Sequence, residues 1–279
     1  MTGQAAKYVG RLKDKVVLIV GGTSGIGYAV AEAALEHNAI VIVAGSNSVK
    51  LENAVTRLKS SYPSQSSGSR LSGITIDLAD IENLETNVQS VLQFAANGAK
   101  INHVVITAAD MMPPPPSLAE ITVHSLERTS RIRYTAPLIF AKHLPKFMDQ
   151  VSENSVTLTS GAHGHKPDPG WSAMIGYLGA VETMMKGLAV DLKPLRVNVV
   201  SPGAVITEVV REMLDEHYDM AIEMAKEKSL VGSAGTPESV AQAYLYLMKD
   251  QFVTGTVLET NGGLLAWQLQ GLAIRWAYP

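Results

Sequence analysis

Two stretches of the chain carry residues whose types and spacing can do chemistry. In the first, VGGTSGIG at 20 to 27, Gly21, Gly25 and Gly27 lie between an apolar run and a helical pattern, with Thr23, Ser24 and Ile26 in the same turn. Glycines placed this way allow a tight turn and bring backbone N–H groups close to a pyrophosphate at a helix N-terminus, where the dipole favours negative charge. The alternative is a tight turn without a ligand, which the strand-turn-helix context disfavours. The second stretch, TSGAHGHKPDPGWSAMIGYLGAVE at 159 to 182, gathers Ser160, His163, His165, Asp168, Trp171 and Tyr177. Asp168 stands between two prolines that restrict its backbone, and Gly170 follows for a turn. Trp171 adds a large flat face that can meet a cation. A carboxylate held in this way suits an ion-pair partner or a proton acceptor. The alternative is a proline-rich turn in which Asp168 caps the next helix. The two histidines can donate protons, although paired loop histidines are more often surface groups, and no metal site is expected from them.

Such groups need elements to hold them. Short β-branched runs recur at 15–20, 39–44, 73–76, 101–107, 155–159, 196–200 and 255–260, with apolar helical patterns between them, such as GYAVAEAALEHN and TMMKGLAVDL. Continuous apolar strands alternating with helices predict a parallel sheet covered on both faces, a doubly wound α/β architecture. SSYPSQSSGSR at 60–70 reads as an exposed loop before the third strand. MMPPPPS at 111–117 can be neither helix nor inner strand, because proline lacks the donor. It follows the fourth strand's carboxyl end, where ligands of such folds bind. It either lines a substrate or merely connects.

The GxxxGxG spacing resembles the short-chain dehydrogenase/reductase family, and further motifs in register carry the resemblance over nearly the whole chain. IDLAD matches the pair that holds adenine, Asp77 and Leu78. SPGAVITE matches the loop that seats the nicotinamide, with Pro202, Gly203, Val205 and Thr207, and TGTVLETNGG matches the final strand. TAAD at 107–110 replaces the family's NNAG and puts Thr107, Ala108 and Ala109 beside the cofactor. The resemblance implies a single Rossmann-like domain over 1–279 and a nicotinamide cofactor. At the end of the second strand, Ser46, Asn47 and Ser48 stand where a carboxylate would select NAD, with Lys50 and Arg70 available to add charge. Neutral donors there favour NADP(H). Lys50 and Arg70 are otherwise solvated surface charges.

Against this family, Ser160 falls on the catalytic serine, but Met174 and Leu178 fall where the YxxxK tyrosine and lysine belong. Tyr177 lies nearly a turn further on, with Val181 rather than a lysine four residues beyond it. Arg133 falls near the family's helix asparagine, as a contact for Asp168, the nicotinamide or a substrate carbonyl, or else as a solvated helix charge. The missing pair protonates a developing alkoxide, and general acid catalysis of that kind contributes ~10²–10⁴ in rate. A substrate that is already a cation, an iminium, forms no oxyanion and gains instead from a nearby anion. Asp168 supplies one.

Loss of the tyrosine-lysine pair together with PDPGW resembles a fungal branch of the family, the bifunctional reductase/Diels-Alderases of malbrancheamide and paraherquamide type biosynthesis. That resemblance implies reduction of a cationic prenylated indole intermediate to an azadiene. The same pocket then directs a [4+2] cycloaddition to a bicyclo[2.2.2]diazaoctane, with Asp168, Arg133, Trp171 and Ser160 at the reacting site. Met111, Met112 and the prolines at 113–116 either add to an apolar mould or are ordinary packing. The alternatives are a redox-inert NADP-binding protein and a carbonyl reductase that uses Tyr177.

Composition is that of an ordinary soluble globular protein. The 279 residues are 46% hydrophobic and 18% charged, with net charge -3 and no blocks of one sign to attract nucleic acid or an anionic membrane. The lack of cysteine removes disulfides and thiolate chemistry. The N-terminus has no apolar signal core, and no run approaches the ~18 apolar residues of a membrane span, so a cytoplasmic protein is expected. The tail at 264–279, with Trp267 and Trp276, is apolar for an exposed end, and the family resemblance implies that it covers a homodimer or homotetramer interface rather than touching a membrane.

Overall fold

All seven β-branched runs form strands. In the computed structural model, which describes residues 8–109 and 118–266, they are β1 (Val16–Val20), β2 (Ile40–Gly45), β3 (Leu71–Thr75), β4 (His103–Ile106), β5 (Ser155–Thr159), β6 (Arg196–Pro202) and β7 (Val257–Thr260). The prolines at 113–116, Met111, Met112, Trp267 and Trp276 lie outside the described residues. The strands make one sheet in the order β3-β2-β1-β4-β5-β6-β7, and every pairing is parallel. The chain therefore runs outward from β1 in both directions, and the order reverses between β1 and β4. Crevices at such reversals, beyond the carboxyl ends of the strands, are where these folds bind ligands.

The helices are α1 (Gly25–Glu36), α2 (Ser48–Ser61), α3 (Leu84–Ala96), α4 (Val123–Ser130), α5 (Ala136–Phe147), α6 (Ser172–Asp191), α7 (Glu208–Leu214), α8 (Tyr218–Glu227) and α9 (Pro237–Lys249). Alternation along β1 divides the core into two layers. Val16, Leu18 and Val20 pack with α3, α5 and α6 through Val88, Phe140 and Met185. Val17 and Ile19 pack with α1, α2 and α9 through Val30, Leu58 and Tyr244. A strand buried on both faces must be apolar throughout, which is why β1 reads as an unbroken run.

Between α4 and α5 the chain makes a π-helical turn, Arg131–Thr135. Such turns recur at functional sites, and no apolar period announces them. Arg133 lies in this turn.

Candidate functional site

The turn after β1 is closed by the next strand of the sheet. The Thr107 hydroxyl donates to the carbonyls of Val20 and Gly21, 3.2 Å each, and Ala108 N–H to Val20 O at 3.0 Å. Side chains have no room here. A Cβ on Gly21 would stand 2.5 Å from Ala108 N, and one on Gly27 would stand 2.3 Å from Gly21 O. Gly25 has φ +52°, and a Cβ there would meet the Thr207 methyl at 3.0 Å. Thr207 caps α7 by accepting from Val210 N at 3.1 Å, while Ser24, the residue that caps α1, makes no side-chain cap bond. The first-turn N–H groups of α1 thus face a cradle that glycine alone leaves open, and these residues fit a dinucleotide phosphate.

Other predicted cofactor residues flank this cradle. Ser46, Asn47, Ser48 and Lys50 are exposed where β2 ends, and Asn47 caps α2 by accepting from Lys50 N at 2.9 Å. Arg70 is a correction: it lies at the amino edge of the sheet, paired with Asp14 at 2.7 Å and bonded to Asn38 O, so it does not serve a 2′-phosphate. Asp77 is exposed and accepts from Ala79 N at 2.8 Å, while Leu78 is part of the core. Gly203 follows β6, and a Cβ there would stand 2.9 Å from Asn261 Cα. Pro202 is buried at the strand end, and Val205 bridges Gly235.

Beyond β5, Met174 and Leu178 are buried one turn apart on α6. Leu178 fills the space beside Gly161, 3.6 Å from where a Cβ would stand. Ser160 is buried, and its hydroxyl donates to Glu182 Oε1 at 2.6 Å. Glu182 Oε2 lies 2.8 Å from His165 Nε2. Glu182 is four residues past Leu178 and so shares its face of the helix. That spacing was the only sequence signal for it.

Asp168 does not cap α6, because the capping position is Trp171, without a side-chain bond. Lys228, at the end of α8, reaches its carboxylate at 3.1 and 3.3 Å, and His163 Nε2 lies 3.4 Å away. His163 also stacks on Trp171, centroids 4.3 Å apart and planes within 11°. His163 is thus partly buried against Asp168 and Trp171, whereas His165 is exposed and reaches Glu182. Burial raises the Asp168 carboxyl, but the Lys228 and His163 contacts outweigh it and hold it below the usual aspartate range. Burial lowers His163 in spite of Asp168, which favours the neutral imidazole. Lys228 escaped sequence reasoning because 60 residues separate it from Asp168. Its place is set by Leu230 N–H donating to Gly262 O at 2.8 Å, just past β7.

Tyr177 does not sit as a free acid. Its hydroxyl donates to Leu126 O in α4 at 2.7 Å, and burial pushes its pKa up. Among the described residues, no group of three or more His, Asp or Glu side chains could hold a metal, and no helix is long and apolar enough to cross a membrane.

A family model for an SDR-like Rossmann domain matches residues 8–267. The short-chain dehydrogenase/reductase malC of Malbranchea aurantiaca is 53% identical over 254 residues, 91% of this chain and 96% of that protein. The solved MalC reductase/Diels-Alderase from the same organism has a TM-score of 0.89 at 52% identity, covering 92% of this chain and 98% of that one. The short-chain dehydrogenase/reductase ucsE of an Acremonium species is 36% identical over 263 residues, 94% of this chain and 99% of that protein.

Proposed function

The chain belongs to the short-chain dehydrogenase/reductase family, and on that premise we propose that it is an NADPH-dependent reductase whose substrate arrives as a cation. The substrate class is a prenylated indole alkaloid precursor at the iminium or pyrazinium level, and the product is an azadiene. The pocket then directs the intramolecular [4+2] cycloaddition to a bicyclo[2.2.2]diazaoctane. The likeness to a solved reductase/Diels-Alderase at 52% identity, together with the apolar, buried Met174 and Leu178 on α6, carries the proposal.

NADPH, when bound, supplies the hydride. Gly21, Gly25 and Gly27 with the first turn of α1 would hold its phosphates. Ser46, Asn47, Ser48 and Lys50 would meet the 2′-phosphate, Asp77 and Leu78 the adenine, and Thr107, Ala108, Ala109 and the Pro202–Thr207 loop the nicotinamide side.

The chain's own residues treat a cation differently from a carbonyl. Met174 and Leu178 offer no proton, and a cation that gains a hydride needs none at the reacting atom. Asp168 supplies negative charge at the rim, kept ionised by Lys228 and His163. Trp171, held flat by the His163 stack, gives a wall on which an indole or a cation can lie. Arg133, from the π-helical turn, is the second polar group of the reacting site. Cycloaddition asks little of acids and bases, and holding diene and alkene in one near-attack arrangement is what accelerates it and selects a face.

The deciding experiment mixes enzyme, NADPH and an indole-bearing pyrazinium. The expected result is loss of reduced-nicotinamide absorbance together with one enantiomer of the cycloadduct. Unchanged absorbance and a racemic cycloadduct would overturn the proposal.

A further inference from the structure

Glu182 is a carboxylate with 11% side-chain exposure, inside a helix whose neighbouring site positions, Met174 and Leu178, are apolar. Burying a charge is costly unless it is hydrogen-bonded. Here both oxygens are engaged, Oε1 by the Ser160 hydroxyl at 2.6 Å and Oε2 by His165 Nε2 at 2.8 Å. The Ser160 bond is short, as expected when the acceptor is charged. A serine hydroxyl has one proton and two acceptor lone pairs. With its proton given to Glu182, Ser160 has only lone pairs left to offer a ligand.

We propose that Glu182 is a positioning residue that sets the polarity of the site: it turns the Ser160 proton away from the ligand, so that a cation meets an acceptor oxygen backed by a buried negative charge. The proposal rests on the cationic-substrate reading above and adds to it the group that selects for charge. His165 holds the second carboxylate oxygen and so keeps Oε1 on Ser160. In a carbonyl reductase the hydroxyl at this place helps bind a developing oxyanion and must donate. Here donation is already spent inside the protein. Glu182 therefore excludes neutral carbonyl acceptors by the same bond through which it favours cations.

Glu182→Gln tests this without changing shape. An amide can donate to Ser160 Oγ, which would release the serine proton towards the ligand, and it removes the buried charge. The probes are an indole-bearing N-methylpyridinium and its neutral phenyl isostere, titrated calorimetrically into the enzyme saturated with NADP⁺. Wild type is expected to prefer the cation. Glu182→Gln and Ser160→Ala are each expected to cut cation affinity about tenfold, the weight of a hydrogen bond to a charged group, with the isostere unaffected. The double variant is expected to lose little more, because the two residues act as one unit. A Glu182→Gln enzyme that keeps the full preference overturns the assignment and leaves the cationic-substrate reading standing. A wild type with no preference overturns both. If Glu182→Gln fails to fold, Ser160→Ala decides: an unchanged preference overturns the assignment, and a selective loss of cation affinity supports it.

Discussion

At the scale of single residues, Asp168 concentrates three kinds of interaction: an ion pair to Lys228, a contact to His163 and, through His163, the stack on Trp171. Replacing it with asparagine removes the charge but little volume. Asp168→Asn is expected to lower kcat/KM on a cationic substrate roughly a hundredfold, on the scale of deleting a preorganised electrostatic contact in a catalytic site. Calorimetry should show NADPH affinity unchanged. A carboxyl whose folded pKa is depressed is ionised, and stabilising, above its unfolded value, and it loses that contribution as pH falls through the folded value. The rate should therefore be flat through neutrality and decline only below the usual aspartate range, under about pH 3.9. Lys228→Met removes the strongest opposing contact and leaves burial, which raises the pKa. Its pH-rate profile is expected to show the acid limb displaced to higher pH. The Lys228 partner was not legible beforehand, since a lysine 60 residues away enters no local pattern. The prolines announced that Asp168 would be held, but not by what.

At the scale of elements, the β1-α1 turn and the β5-α6 connection behave differently as sequence. The turn was legible to the residue, because only glycine tolerates its close approaches. Gly27→Ala would force a Cβ to 2.3 Å from Gly21 O and 2.5 Å from Thr107 Oγ1. The expected cost is about 1–3 kcal/mol of stability from overpacking, read by thermal melting, with loss of measurable NADPH binding. Gly187, exposed within α6, has nothing within 4 Å of the same added atom. Gly187→Ala is expected to raise stability by roughly 0.5–1 kcal/mol through helix propensity alone. The β5-α6 connection was legible in composition and not in wiring. The Ser160–Glu182–His165 chain depends on side chains meeting across turns that no period encodes, and no period announces the π-helical turn that holds Arg133.

At the scale of the whole molecule, the parallel sheet followed from β-branched runs alternating with helical patterns, unbroken and apolar in β1 and β2, where helices bury both sides. Arg70 shows where linear nearness misleads: close in sequence to a cofactor-side strand, it lies at the opposite edge of the sheet, held by Asp14 and Asn38. His103 ties the stability of the fold to pH. Burial, with Arg196 and Lys15 adding to it, pushes its pKa down to about 3. The unfolded chain takes a proton there near ~6.5 and the folded one does not. Stability is therefore expected to fall as pH drops from about 6.5 towards 3. His103→Asn, which can keep a bond to Ser155 Oγ, should flatten that slope in chemical denaturation series. The nucleotide cradle hangs from β1, β2, β4 and the loop after β6, while the reacting residues other than Arg133 hang from β5, α6 and the end of α8. The two territories join along the β4–β5 pairing, where the Thr159 hydroxyl donates to Ile106 O at 2.8 Å. For an engineer this is a division of labour: a mutagenesis library confined to 160–182 and to Lys228 can search for new substrates while inheriting an intact dinucleotide handle.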